Sequence, residues 1–154
     1  RTSGIYSAAM TFILLHEFGH QYFGHVETYS DNDQSKSDEI LADEFAFEKM
    51  ETHFSAEEGT TYKFGILAGI CSLIFTDSSL QGGDRHPDPD YRLKNLIEKM
   101  NLHELDNLWA TASLPFNLWA VHFGKTLKYD RTVENYKDLF YKTINQLDTI
   151  KGSS

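Results

Sequence analysis

His16-Glu17-Phe18-Gly19-His20 sets two imidazoles four residues apart, with a carboxylate beside the first. On an α-helix such positions lie about 40° apart around the axis and about 6 Å apart along it. Both rings can therefore reach one metal ion from one face. Glu17, one residue on, has the length to contact a water on that ion rather than the ion itself. The chemistry open to such a set is metal-assisted hydrolysis. Random placement of the chain's histidines and glutamates would give one such match with a chance of about 2%. Two histidines and a glutamate are also expensive to bury on an apolar helix without a use.

A catalytic zinc site takes three protein ligands and keeps one open position, and several residues compete to be the third. His25 follows Gly24, but the metzincin spacing puts glycine three and histidine six residues after the second histidine. Here the offsets from His20 are four and five. Glu27 and Asp31 are near in sequence, at a helix end and in a loop. His53, His103 and His122 are isolated and read as surface or structural histidines. Glu39 is the better candidate, because Glu39 and Asp43 are four apart and share one face of a second helix. Eighteen residues separate His20 from Glu39, enough to fold that helix back on the first. Asp43 could then accept the free ring N–H of a ligand histidine. The competing reading is a solvated acidic face, since Asp38, Glu39, Asp43, Glu44 and Glu48 are all acidic.

The elements that must position these groups read as helices joined by polar connections. Residues 5–24 are apolar on nearly every side. Residues 27–37 have loop composition, and residues 38–53 contain good helix formers without glycine or proline. Residues 55–58 form a polar link. Phe64–Phe75 is the longest apolar run, twelve residues with Gly65 and Gly69. A bilayer span needs about 20 such residues, so this run predicts a buried helix. Asp77–Asp90 reads as a long loop. Asp88 and Pro89 suit an N-cap and first helical position, followed by the stripe Leu93, Leu96, Ile97 and Met100. Trp109 and Trp119 flank Pro115 as packing anchors, and a last amphipathic helix is predicted near 132–149. Alternating strand patterns are scarce, so the chain reads as mainly α with little or no sheet.

The formal charge of −9 argues against a broad grip on nucleic acid or on an anionic membrane surface. One cysteine, Cys71, excludes an internal disulfide framework and reads as an inert core residue. With no signal-peptide pattern, the expectation is a cytoplasmic chain.

H-E-x-x-H followed by E-x-x-x-D resembles the gluzincin branch of the zincin metallopeptidases. Glu39-Ile-Leu-Ala-Asp43-Glu-Phe-Ala46 resembles the E-x-x-A-D-x-x-A signature of the HtpX and CAAX prenyl protease type. His86-Pro87-Asp88-Pro89-Asp90-Tyr91-Arg92 is similar to the H-P-x-x-x-x-R element of that type. The ImmA/IrrE-type and Lit-type peptidases have comparable metal helices and stand as alternatives. The matched segments span residues 16 to 92, about half the chain.

The resemblance implies one Zn2+ per chain, held by His16, His20 and Glu39 with Asp43 behind them. It implies Glu17 as general base, with His86 and Arg92 beside a developing oxyanion. The implied reaction is hydrolysis of a peptide bond in a protein or peptide substrate. The implied architecture is two metal-bearing helices packed on a buried helix. Zincins also carry a sheet ahead of the H-E-x-x-H helix, whose edge pairs with substrate. Only fifteen residues precede His16. The expectation is therefore a single domain, residues 1–154, forming the C-terminal portion of a longer peptidase. In it, 1–100 carry the site and 101–154 a helical extension. A preceding region or a partner chain would supply the substrate-binding strand. The rival from another class is a catalytically silent metal-binding regulatory or protein-interaction module.

Overall fold

A computed structural model describes residues 2–25, 31–53, 59–76, 78–128 and 132–152. Among the described residues the elements are six α-helices and one short 3-10 turn, with no strand. They are α1 (Thr2–Tyr22), α2 (Asn32–His53), α3 (Gly59–Cys71), the 3-10 turn Ser72–Phe75, α4 (Pro89–Lys99), α5 (Asn107–His122) and α6 (Tyr136–Lys151). The mainly α expectation is borne out. None of these helices is long and apolar enough to cross a membrane.

α1 packs along both α2 and α3, and small residues set how closely. A Cβ at Gly65 would stand 2.3 Å from the Ala8 Cβ, and one at Gly69 would stand 3.0 Å from the Phe12 ring. The two glycines of the apolar run are thus where α3 presses against α1. On the α2 side, a Cβ at Gly19 would lie 3.2 Å from Ala42 Cα. Gly19 sits inside H-E-x-x-H and Ala42 inside E-x-x-A-D, so this contact sets the distance between the two helices of the motif.

One core cluster runs through all six helices and includes Ala8 and Phe12 of α1 and Phe47 and Met50 of α2. Ile66, Ile70 and Ile74 meet Leu93, Leu96 and Ile97 of α4 there, with Trp109, Phe116 and Trp119 of α5 and Phe140 and Leu147 of α6. Each aliphatic side chain so buried contributes about 1.5–3 kcal/mol relative to exposure. Both tryptophans are the expected anchors, and Trp109 packs on Phe140 with ring centroids 5.4 Å apart.

Several boundaries move. The loop expected over 27–37 is helical from Asn32, because the Asp31 carboxylate accepts the Gln34 backbone N–H at 2.9 Å and caps α2. Residues 27–30, 55–58 and Asp77 lie outside the described residues. Helix α6 starts at Tyr136 rather than near 132, where Asn135 accepts the Asp138 N–H at 2.8 Å. Asp88 and Pro89 do open α4, but the Asp88 side chain does not cap it. Its two oxygens accept instead from Gly82 N at 3.1 Å and from Lys151 Nζ at 3.0 Å.

Candidate metal centre

The Gly19–Ala42 contact brings His16 and His20 of α1 opposite Glu39 and Asp43 of α2. The two Nε2 atoms face each other at 3.2 Å. Glu39 completes a triangle, with Oε2 at 3.5 Å from His16 Nε2 and Oε1 at 3.5 Å from His20 Nε2. Two ligands about 2.1 Å from a tetrahedral ion lie about 3.4 Å apart, and with one ligand atom from each residue the three atoms lie within 4.8 Å of one another, a spacing that could hold a metal ion. Among the described residues these three form the cluster of histidine and carboxylate groups able to hold a metal. Burial and the neighbouring His16 lower the pKa of His20, outweighing the pull of Glu39 in the other direction. Its neutral, ligand-competent form is thereby favoured.

Behind the triangle stands a second layer. His16 Nδ1 lies 3.0 Å from Asp43 Oδ1, close but poorly aligned for a hydrogen bond. Arg92 donates to both oxygens of Asp43, from Nε and from Nη2, each at 2.8 Å. Its Nη1 stands 2.9 Å from Glu39 Oε2. Arg92 is therefore bound to the carboxylates of α2, not to Asp88 or Asp90 beside it on its own helix. Burial pushes the Asp43 carboxyl up, but His16 and Arg92 together hold it below the usual carboxylate range. Burial likewise disfavours the Arg92 charge, and Asp43 and Glu39 more than restore it.

The loop before α4 supplies His86. A Cβ at Gly82 would fall 2.2 Å from the His86 carbonyl, so only glycine lets this turn close. Leu80 takes a left-handed φ of 56° while its side chain is buried, a local cost of about 1–2 kcal/mol held by packing. The exposed His86 ring puts Nδ1 3.2 Å from Glu39 Oε1. Glu17 is exposed, and with His16, His20, Glu39, His86 and Arg92 it lines a cleft of about 650 Å³. Phe12, Ile13, Ile70 and Leu73 form the cleft's apolar wall.

The other candidates stay apart. Asp31 caps α2, and Glu27 lies outside the described residues. His53 Nδ1 bonds Lys49 O, His103 Nδ1 accepts from Leu105 N, and His122 packs edge-on to Phe123. His25, excluded as a ligand by spacing, stands against His20 on the side away from the triangle, with Nδ1–Nδ1 at 3.1 Å. Asp38 lies 3.4 Å beyond it. Neither placement was visible from ligand spacing alone. The available signal was Gly24, a helix-ending residue followed at once by a histidine.

A family model described as Peptidase U49 matches residues 1–112, a stretch holding α1, α2, the His86 loop and α4. No curated protein and no solved structure matches the chain.

Proposed function

The chain belongs to the Peptidase U49 family, the Lit-type alternative among the resemblances drawn from the sequence, and from that premise we propose a zinc-dependent metallopeptidase acting on a protein substrate. The observation that carries the reading is the facing pair of Nε2 atoms. His16 sets Nδ1 3.0 Å from Asp43 Oδ1, so a proton on Nδ1 would leave Nε2 a lone pair for the centre. That lone pair faces another imidazole nitrogen and the Glu39 carboxylate. Two ring nitrogens and a carboxylate meeting at one point need a positive charge or a shared proton between them, and a bound cation serves all three at once.

His16, His20 and Glu39 would hold the zinc, which supplies a Lewis acid that polarises the scissile carbonyl and makes water acidic near neutral pH. The cleft beside them takes the peptide, its apolar wall burying side chains of the substrate. Glu17 accepts the proton of the attacking water on its carboxylate. As the C–N bond breaks it returns that proton to the leaving amine. His86, at the cleft rim, donates to the carbonyl oxygen as negative charge develops. Arg92 acts by holding Glu39 and Asp43 in place and by keeping a fixed positive charge beside the centre.

The test is cleavage of a peptide library by zinc-loaded protein. Glu17→Gln is expected to lower the rate about 100- to 10,000-fold while zinc content and melting temperature stay those of wild type. Cleavage surviving that substitution would remove Glu17 from the reaction.

A further inference from the structure

His86 enters the cleft from a loop, and its side chain is 61% exposed, with Nδ1 3.2 Å from Glu39 Oε1. So little packing on the ring leaves its position to the loop backbone. That backbone folds tightly, since a Cβ at Gly82 would fall 2.2 Å from His86 O and 2.3 Å from Pro87 O. The Gly82 N–H bonds Asp88 Oδ1 at 3.1 Å. Asp88 is itself held twice. Its backbone carbonyl accepts the Arg92 N–H at 3.1 Å in the first turn of α4, and its Oδ2 accepts from Lys151 Nζ at 3.0 Å. An aspartate at the start of a helix ordinarily turns its carboxylate to the N–H groups of that helix. Asp88 makes no such bond, and its two oxygens join the His86 loop to the end of α6. The same ammonium binds both oxygens of the buried Asp90, at 3.0 and 2.8 Å. Two carboxylates so close in sequence repel, and the ammonium between them keeps Asp88 turned inward.

We propose that Lys151 is a positioning residue for His86, acting through Asp88 and the Gly82 turn. The path runs from Lys151 Nζ to Asp88 Oδ2, across the carboxylate to the Gly82 N–H, and through the close Gly82–His86 backbone contact to the imidazole. Without the ammonium, Asp88 is repelled by Asp90 and turns its partly exposed carboxylate to water. The Gly82 bond then weakens, and the loop carries His86 away from the place where it meets the substrate carbonyl. Helix α6, which lies beyond the family match and does not line the cleft, thereby contributes to the reaction at a distance. The catalytic consequence rests on the proposed peptidase reading, whereas the link itself belongs to the protein without metal or substrate.

Amide hydrogen exchange and peptide cleavage test it together. In metal-free wild type the Gly82 N–H is expected to exchange at least about tenfold more slowly than an unstructured glycine amide. Lys151→Met is expected to remove most of that protection. Asp88→Ala, which leaves the Lys151–Asp90 pair in place, is expected to do the same. Adding Lys151→Met to Asp88→Ala is then expected to change Gly82 exchange by less than about twofold, because the path is already cut. In zinc-loaded protein, Lys151→Met is expected to lower kcat for a library peptide about 10- to 100-fold, with KM within about twofold and zinc content unchanged. On a His86→Ala background the same substitution is expected to lower kcat by less than about twofold. Far-UV circular dichroism tracks the fold of each variant. A wild-type Gly82 amide that exchanges at the unstructured rate overturns the link whether or not any variant folds. So does a folded Lys151→Met with wild-type Gly82 exchange or wild-type kcat, or one whose loss of kcat is the same with and without His86. A wild type that cleaves no peptide overturns the peptidase reading instead, and Gly82 exchange in that protein still decides the link.

Discussion

Around Arg92 and around Lys151 the chain gathers similar charges, one cation held against aspartate or glutamate side chains, yet the two clusters are built differently. Lys151 of α6 donates to Asp88 at 3.0 Å and to both oxygens of Asp90, at 3.0 and 2.8 Å. The carboxylates converge on the ammonium, which pins the end of α6 to the start of α4. Arg92 also holds two carboxylates, Asp43 and Glu39. There, however, Glu39 and two imidazole nitrogens converge on a point that is not the cation. The first arrangement is complete as a structural pin. The second keeps its electron donors directed at a position where a further positive charge would bind them. The difference lies in the histidines: they add donors at the α1–α2 seam without adding a permanent charge.

Breaking each pin in turn sharpens that contrast. Arg92→Met leaves Asp43 and Glu39 buried without their guanidinium and should cost about 3–5 kcal/mol in denaturant unfolding of metal-free protein. Saturating zinc should recover part of that loss, because a ligand that binds only the folded state stabilises it by mass action. Lys151→Met should cost about 2–3 kcal/mol, and zinc should recover none of the difference from wild type. Equal recovery in both variants would contradict the distinction between the clusters.

The second variant also carries a pH signature. Burial raises the Asp90 carboxyl above its ordinary value of 3.8, and Lys151 only partly offsets this. Removing Lys151 raises it further. A raised folded-state pKa favours the folded state below the unfolded value, and that advantage is lost as pH rises through the folded one. Lys151→Met should therefore lose stability as pH climbs from about 4, measured by urea midpoints across pH. Adding Asp90→Asn should flatten that slope. A slope that survives Asp90→Asn would assign it to another group.

Smaller effects separate spacing from charge. Gly19→Ala pushes a Cβ to 3.2 Å from Ala42 Cα. It should cost about 1 kcal/mol while weakening zinc binding several-fold, because it shifts α1 against α2. Chelator competition and thermal melts read the two separately. Cys71, in neither cluster, has its thiol pushed up to about 12 by burial. Its alkylation at pH 8 should be at least about tenfold slower in folded protein than in denaturant. Equal rates would contradict that burial.

The sequence made the helical fold and the short-range parts of the site legible. Periodicity at 3.6 residues is a local signal that located the amphipathic stripe of α4, and an unbroken apolar run located α3. The four-residue spacings of His16–His20 and Glu39–Asp43 likewise carry their geometry within one turn. The α2 start was misread because Asn32–Ser37 has loop composition, while the Asp31 cap that overrides it is a single side chain. The partner of Arg92 lies 49 residues away and that of Lys151 about 60. No local pattern marks either pair. Their own helix offered Arg92 nearer carboxylates, at Asp88 and Asp90, which the fold assigns to Lys151 instead. His25 follows the left-handed Gly24, and its N–H reaches back to His20 O at 2.9 Å, a neighbour that ligand spacing does not test.

The central claim is that the α1–α2 seam is a zinc centre, and metal stoichiometry tests it most directly. Purified wild type and His20→Ala are each saturated with zinc, passed over a desalting column and assayed for bound metal. One zinc per wild-type chain and none in the folded His20→Ala variant is the predicted result. A wild type that retains no zinc, or a His20→Ala variant that retains a full equivalent, would contradict it.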